Sequence, residues 1–145
     1  MKILFVCTGN TCRSPMAEGL FRRLLARHKA GGSLECASAG LSAVNGEPPS
    51  ENAVLACREA GVDISGHRAR RLTAGDLDQW DLFFVMTATH GYILEQAGAP
   101  AQKIYVPQNV ADPFGGDLDV YRACRDELAA RLEEFYASLP REARE

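Results

Sequence analysis

The apolar positions of this chain fall into two rhythms that take turns along its length. Residues 2–6 form a short, nearly unbroken apolar run that ends at the turn-forming string Thr8-Gly9-Asn10-Thr11, the pattern of a buried strand. A helical period follows over residues 14–29. Ser14 is placed to cap this helix and Pro15 to occupy its first turn, and Met16, Leu20 and Leu24 recur beside Phe21 and Leu25. Arg27, His28 and Lys29 put positive charge at its carboxyl end, where the helix dipole favours it. The pattern then predicts a strand over 34–38 and a helix capped by Ser50 and stopped by Gly61. Next come a short helical turn capped by Thr73, a buried strand over 82–86, a helix over 88–97 and a strand over 104–106. The last helix starts near Asp117 and carries Tyr121, Cys124, Leu128, Leu132, Phe135 and Leu139 on one face.

Strands that alternate with helices imply an α/β fold: a small doubly wound, four-stranded parallel sheet in the order 2-1-3-4 with helices on both faces. A length of 145 residues, with no repeat and no linker-like stretch, suits a single domain over 1–145. Ligands of such folds bind beyond the carboxyl ends of the strands, near the switch in strand order. That puts the chemistry in two loops, residues 7–13 and 107–116.

Composition narrows the options. A net charge of −3 and a pI near 5.6 give no basic field for nucleic acid. No apolar run is long enough to cross a bilayer, and the amino terminus lacks a signal-peptide pattern, so a cytoplasmic protein is expected. Cys7, Cys12, Cys36, Cys57 and Cys124 form an odd set, expected to stay reduced. They include no Cys-x-x-Cys pair and no histidine at zinc-ligand spacing, so neither a metal nor another cofactor is expected. The expected assembly is a monomer.

The loop after the first strand reads Cys7-Thr8-Gly9-Asn10-Thr11-Cys12-Arg13-Ser14. A cysteine and an arginine six positions apart are weak evidence alone, since a small buried cysteine and a surface arginine are common. Here the cysteine follows a strand, turn-forming residues fill the middle, and Arg13-Ser14 opens a helix. Such a loop turns backbone N–H groups inward and has a helix dipole behind it, which makes an anion cradle of phosphate size from Thr8 to Ser14. Arg13 adds a planar fork of donors. The positive surroundings are expected to lower the pKa of Cys7 from about 8.5 towards about 3.5–7.5. A thiolate aimed at phosphorus implies a phosphocysteine intermediate. The Gly-x-x-x-x-Gly-Lys pattern of a nucleotide loop is absent. In the second loop, Asp112-Pro113-Phe114-Gly115-Gly116 supplies a candidate general acid, Asp112. Pro113 biases it towards extended backbone, and partial desolvation beside Phe114 is expected to raise its pKa.

With these residues in hand, the chain resembles the low-molecular-weight protein tyrosine phosphatase family along nearly its whole length. The resemblance is carried by Val6-Cys7-x-Gly9-Asn10-x-Cys12-Arg13-Ser14-Pro15, by Asp112-Pro113, and by Ser38-Ala39 and His67 between them. It implies Cys7 as nucleophile, Arg13 as phosphate clamp and Asp112 as general acid. It also implies that Asn10, Ser14, Ser38 and His67 form a hydrogen-bonded network supporting the loop. Tyrosine-directed members usually carry large aliphatic residues where this chain has Thr8 and Thr11, and often Tyr or Trp where it has Phe114. The string from Cys7 to Glu18 and the run Asp112-Pro113-Phe114-Gly115-Gly116 are similar to the bacterial protein-arginine phosphatase branch. So are Asp119-Val120-Tyr121 and Arg125-Asp126-Glu127-Leu128. In that branch the threonine matching Thr11 helps to select phosphoarginine. A hydroxyl suits the polar rim of a planar guanidinium better than an aliphatic wall does. Phosphorylated proteins are the partners implied, with phosphoarginine or, as the alternative, phosphotyrosine.

Two rivals share the loop. An arsenate reductase of this fold is expected to carry further cysteines in the region of roughly 67–90, where this chain has none. A noncatalytic phosphate-binding module has no need of both a nucleophile and an acid. Cys12 shares the loop with Cys7 and is a candidate for trapping oxidised Cys7 as a reversible disulfide, or else a small packing residue. Arg68, Arg70 and Arg71 read as a solvated basic face.

Overall fold

The computed structural model describes residues 1–28 and 33–144. Its elements are β1 (Lys2–Cys7), α1 (Arg13–His28), β2 (Glu35–Gly40), α2 (Glu51–Glu59), α3 (Asp76–Gln79), β3 (Leu82–Val85), α4 (Ala88–Gln96), β4 (Ile104–Tyr105), α5 (Leu118–Ser138) and α6 (Arg141–Arg144). The sheet is all-parallel in the order β2-β1-β3-β4, with Cys7 opposite Gly40, Ile3 opposite Leu82 and Phe84 opposite Tyr105.

Why β1 is an unbroken apolar run is now clear, because both of its faces are covered. Ile3 and Phe5 point into a core shared with Met16, Leu20, Phe21 and Leu24 of α1 and Leu128, Leu132 and Phe135 of α5. Leu4 and Val6 point the other way, into a smaller core with Phe83, Val85, Leu94 and Ala99. Phe5, Phe21, Phe84 and Phe135 interlock at ring separations of 5.1–5.8 Å, in tilted and edge-on geometries that ring quadrupoles favour. Strand pairing therefore sets the height of the β1 terminus, where Cys7 stands, against the N-terminus of α1.

Several local expectations are corrected. β2 continues past residue 38 to Gly40 because Ala39 and Gly40 pair with Val6 and Cys7. β4 stops at Tyr105, and Val106 lies exposed beyond the last pair. Ser14 does not cap α1: the helix already begins at Arg13, the Met16 N–H bonds to the Cys12 carbonyl, and the Ser14 hydroxyl serves the loop instead. Ser50 precedes α2 without a side-chain cap, since its hydroxyl faces Cys12. Thr73 donates to the Asp76 carboxylate and caps nothing, and Gly75 precedes α3. Asp117 does cap α5, accepting from Val120 N–H at 3.1 Å. Lys29 lies outside the described residues. A short turn, α6, follows α5 beyond the last predicted helix.

Candidate functional site

The loop from Cys7 to Arg13 leaves β1 and enters α1 between the ends of β2 and β3, at the switch in strand order. Its shape is set at Asn10, which adopts φ 56°, the left-handed region that Asn tolerates better than most residues. Asn10 is fully buried and uses every polar atom it has. Its side-chain NH2 donates to Ser14 Oγ at 2.7 Å and Ser38 Oγ at 3.0 Å. Its Oδ1 accepts from the Arg70 N–H at 2.9 Å, and its carbonyl accepts from His67 Nε2 at 2.9 Å. Ser38 passes its own proton to Glu18 at 2.7 Å. Asn10, Ser14, Ser38 and His67 are thus joined through one residue, with Glu18 and the Arg70 backbone as further members. Arg70 is itself held by the buried Asp76, at 3.0 and 3.1 Å, and so is no part of a freely solvated basic face.

This order of donors has a consequence at sulfur. Because Ser14 Oγ accepts from Asn10, its hydroxyl proton is left for Cys7 Sγ, 2.9 Å away. The Asn10 N–H adds a second donor at 3.3 Å. Cys7 is only 3% exposed, and burial pushes its thiol up against the pull of the Ser14 and Asn10 donors and the Arg13 charge. This corrects the expectation of a thiol simply lowered by its surroundings. The groups that hold a thiolate are in place, and they work against a desolvation that is larger. Burial also pushes Cys36 up to about 11 and Cys57 and Cys124 up to about 12, so these three stay protonated packing residues.

Arg13 is 5% exposed and not a surface charge. Its Nη1 donates to the Val110 carbonyl at 3.0 Å, and its Nη2 lies 3.6 Å from the Asp112 carboxylate. The fork therefore ties loop 107–116 to the cradle. Asp112 accepts from the Phe114 N–H at 3.0 Å. The desolvation expected around it is absent: the Asp112 side chain is 53% exposed and Phe114 77%. Phe114 projects from the rim instead of covering the carboxylate.

A pocket of about 290 Å3 collects these groups, lined by Cys7, Thr8, Gly9, Thr11, Cys12, Arg13, Glu47, Asp112 and Phe114. Asn10 and Ser14 lie behind it. Cys12 Sγ is 2.9 Å from Ser50 Oγ and 3.3 Å from the Tyr121 hydroxyl. Among the described residues no three His, Cys, Asp or Glu side chains gather as a metal site, and no helix is long and apolar enough to cross a membrane.

Sequence reasoning missed five residues here. Glu47 reaches the pocket because main-chain bonds between Gly46, Glu47 and Ala69 pin its turn beside the site. Ser50 and Tyr121 meet Cys12 only through tertiary packing, and His90 meets Thr8 in the same way. Gly40 carries a steric signal. A Cβ there would stand 2.6 Å from the Thr8 carbonyl oxygen and 2.9 Å from the Asn10 nitrogen. Gly40→Ala is therefore expected to displace the cradle, lowering stability by about 1–3 kcal/mol and activity with it. Denaturant unfolding and steady-state turnover check this.

The model of the family described as low molecular weight phosphotyrosine protein phosphatase matches residues 2–145. A protein-arginine-phosphatase of Bacillus subtilis is 36% identical over 153 residues, spanning 99% of this chain and 100% of that protein. Among solved structures, a YwlE arginine phosphatase C7S mutant with a phosphorylated active-site serine superposes with a TM-score of 0.89, at 34% identity and 99% coverage of both chains. A low molecular weight protein tyrosine phosphatase from T. tengcongensis gives a TM-score of 0.85 at 41% identity, over 96% of this chain and 99% of that one.

Proposed function

The chain belongs to the low-molecular-weight phosphotyrosine protein phosphatase family, and from that premise we propose that residues 1–145 act as one domain that hydrolyses phosphoarginine on proteins through a phosphocysteine on Cys7. The phosphoryl oxygens rest on N–H groups of the loop between Thr8 and Arg13 and on the Arg13 fork, while the Asn10 N–H serves Cys7 Sγ. The Cys7 thiolate attacks phosphorus, an S–P bond forms, and the P–N bond to the guanidinium breaks with its electron pair on nitrogen. Asp112 supplies the proton that nitrogen takes. The resulting carboxylate then accepts a proton from water, whose oxygen attacks phosphorus and returns the Cys7 thiolate. The same loop holds Cys12, whose thiol can condense with a sulfenic acid on Cys7, releasing water and leaving a reducible disulfide.

The observation that carries arginine over tyrosine is the charge of the pocket mouth. Arg13 faces the phosphoryl group, while Asp112, Glu47 and Thr11 line the same pocket. The Glu47 carboxylate next to a phosphoryl group is unfavourable unless the substrate brings a cation to that place, and a phosphorylated guanidinium does. Similarity to relatives named as arginine phosphatases supports the same choice. The exposed Phe114 ring at the rim is the feature that favours tyrosine.

A comparison of kcat/KM on phosphoarginine and phosphotyrosine peptides decides between them. Arginine is expected to be preferred by at least about tenfold, with Thr11→Ile reversing the preference and Glu47→Gln weakening it about threefold. A tyrosine preference in the unmodified protein overturns the assignment. Asp112→Asn is expected to slow turnover by about 100-fold, most for substrates with poor leaving groups. Equal loss across a leaving-group series would count against a proton-donor role.

A further inference from the structure

Thr8 follows Cys7 directly and lines the pocket, and its hydroxyl is 2.9 Å from Nε2 of His90, a residue 82 positions away. His90 is 5% exposed and sits in the first turn of α4, where its backbone N–H bonds to the capping Thr87 hydroxyl. Its other ring nitrogen, Nδ1, is buried and has no hydrogen-bond partner among the described residues. One buried ring nitrogen is thus unpaired while the other faces the substrate pocket through Thr8.

The two neutral tautomers differ in what they leave over. With the proton on Nδ1, a buried N–H has no acceptor, and the Thr8 hydroxyl proton is used up on Nε2. With the proton on Nε2, the buried orphan is a bare acceptor, and Thr8 Oγ1 accepts while keeping its own proton. Orphaned buried N–H donors are the rarer and worse-tolerated case. A phosphoryl oxygen in the pocket favours the same tautomer, since a free hydroxyl proton can make a charge-assisted bond to it. Asn10 treats Ser14 in this way, turning a hydroxyl proton onto Cys7 Sγ.

Resting on the phosphoryl-binding reading of the pocket, we infer that His90 is a positioning residue: it donates Nε2–H to Thr8 Oγ1 and thereby directs the Thr8 hydroxyl proton at the substrate's phosphoryl group. The ring stays neutral because burial, and after it the Arg13 charge, hold its pKa down to about 4 against a weaker opposing pull from Asp112. Neutrality matters because an imidazolium would place an N–H at Nδ1 with nothing to receive it. The Thr8 hydroxyl then joins the backbone amides and Arg13 as a donor to the phosphoryl oxygens, though neither Thr8 nor His90 bears a charge.

The test is a 31P NMR titration of the full chain with inorganic phosphate, which reads the pocket without turnover. Thr8→Val and His90→Phe are each expected to weaken phosphate binding about tenfold. The double variant is expected to lose about tenfold as well, not a hundredfold, because the two side chains act through one hydrogen bond to the ligand. His90→Gln, whose side-chain NH2 can still donate, is expected to restore binding to within about twofold. Unchanged binding in His90→Phe, additive losses in the double variant, or no rescue by Gln would overturn the role of His90 and leave the phosphate pocket standing. If His90→Phe does not fold, Thr8→Val decides, and unchanged binding there overturns the inference. Failure of the unmodified protein to bind phosphate would overturn both this role and the proposed function.

Discussion

Cys7→Ser is expected to fold like the unmodified protein and to lose more than about 10,000-fold in turnover. The side chain differs by one atom type at a site only 3% exposed, and a serine hydroxyl can keep a hydrogen bond to Ser14. The chemistry does not survive the exchange. Sulfur is nucleophilic as a thiolate, and the loop gives it two donors suited to that anion, the Ser14 hydroxyl and the Asn10 amide, with the Arg13 charge nearby. A serine needs a general base to take its proton, and the groups that contact Cys7 Sγ are a hydroxyl and an amide, neither of them a base. Single-turnover kinetics on a phosphoarginine peptide, with a thermal melt by circular dichroism, separate the two properties. Retention of more than about one per cent of activity would remove Cys7 from the nucleophile's position.

Arg13→Ala is expected to cost about 1,000-fold in kcat/KM, together with about 1–3 kcal/mol of stability. Both losses follow from the two tasks of one buried guanidinium. Arg13 lines the pocket, where the proposed mechanism uses it as the phosphate clamp, while Nη1 satisfies the Val110 carbonyl at 3.0 Å and so carries the Asp112 loop. On the proposed mechanism, truncation removes the phosphate clamp, leaves the buried Val110 carbonyl unpaired, and frees the loop that carries Asp112. Arg13→Lys restores the charge but not the planar fork, so it is expected to recover stability better than activity. The variants are compared by kcat/KM and by urea unfolding. A lysine variant as active as the unmodified protein would show that charge alone suffices.

The four strands, their order and the major helices were legible because they rest on local patterns: an unbroken apolar run for a strand covered on both faces, and helical spacing for α1 and α5. The cradle was legible for a related reason. Its eight residues are contiguous, so turn chemistry, a cysteine and an arginine can be read together. The boundaries that failed are those decided by a partner strand. Ala39 and Gly40 extend β2 because Val6 and Cys7 stand opposite them, and β4 ends at Tyr105, the last of its residues paired with β3 among those described.

Local rules did not give the roles of individual hydroxyls, although the family resemblance did place Ser14 and Ser38 in the network that supports the loop. Ser14 and Ser50 both stand where a local rule makes them helix caps, yet one serves Asn10 and Cys7 and the other Cys12. A cap is worth about 1 kcal/mol, whereas a buried polar group left unpaired costs about 1–3 kcal/mol. Buried neighbours therefore outbid the nearby backbone.

By itself the sequence determined the sheet, the cradle with Cys7 and Arg13 at its two ends, and the second loop with Asp112, since each depends on residues within a few positions of one another. Only the tertiary structure decided that Asp112 stays half in water, that Glu47 stands at the mouth, and that His90 meets Thr8. Exposure and long-range hydrogen bonds depend on what the rest of the chain places nearby, and a linear pattern does not carry that information.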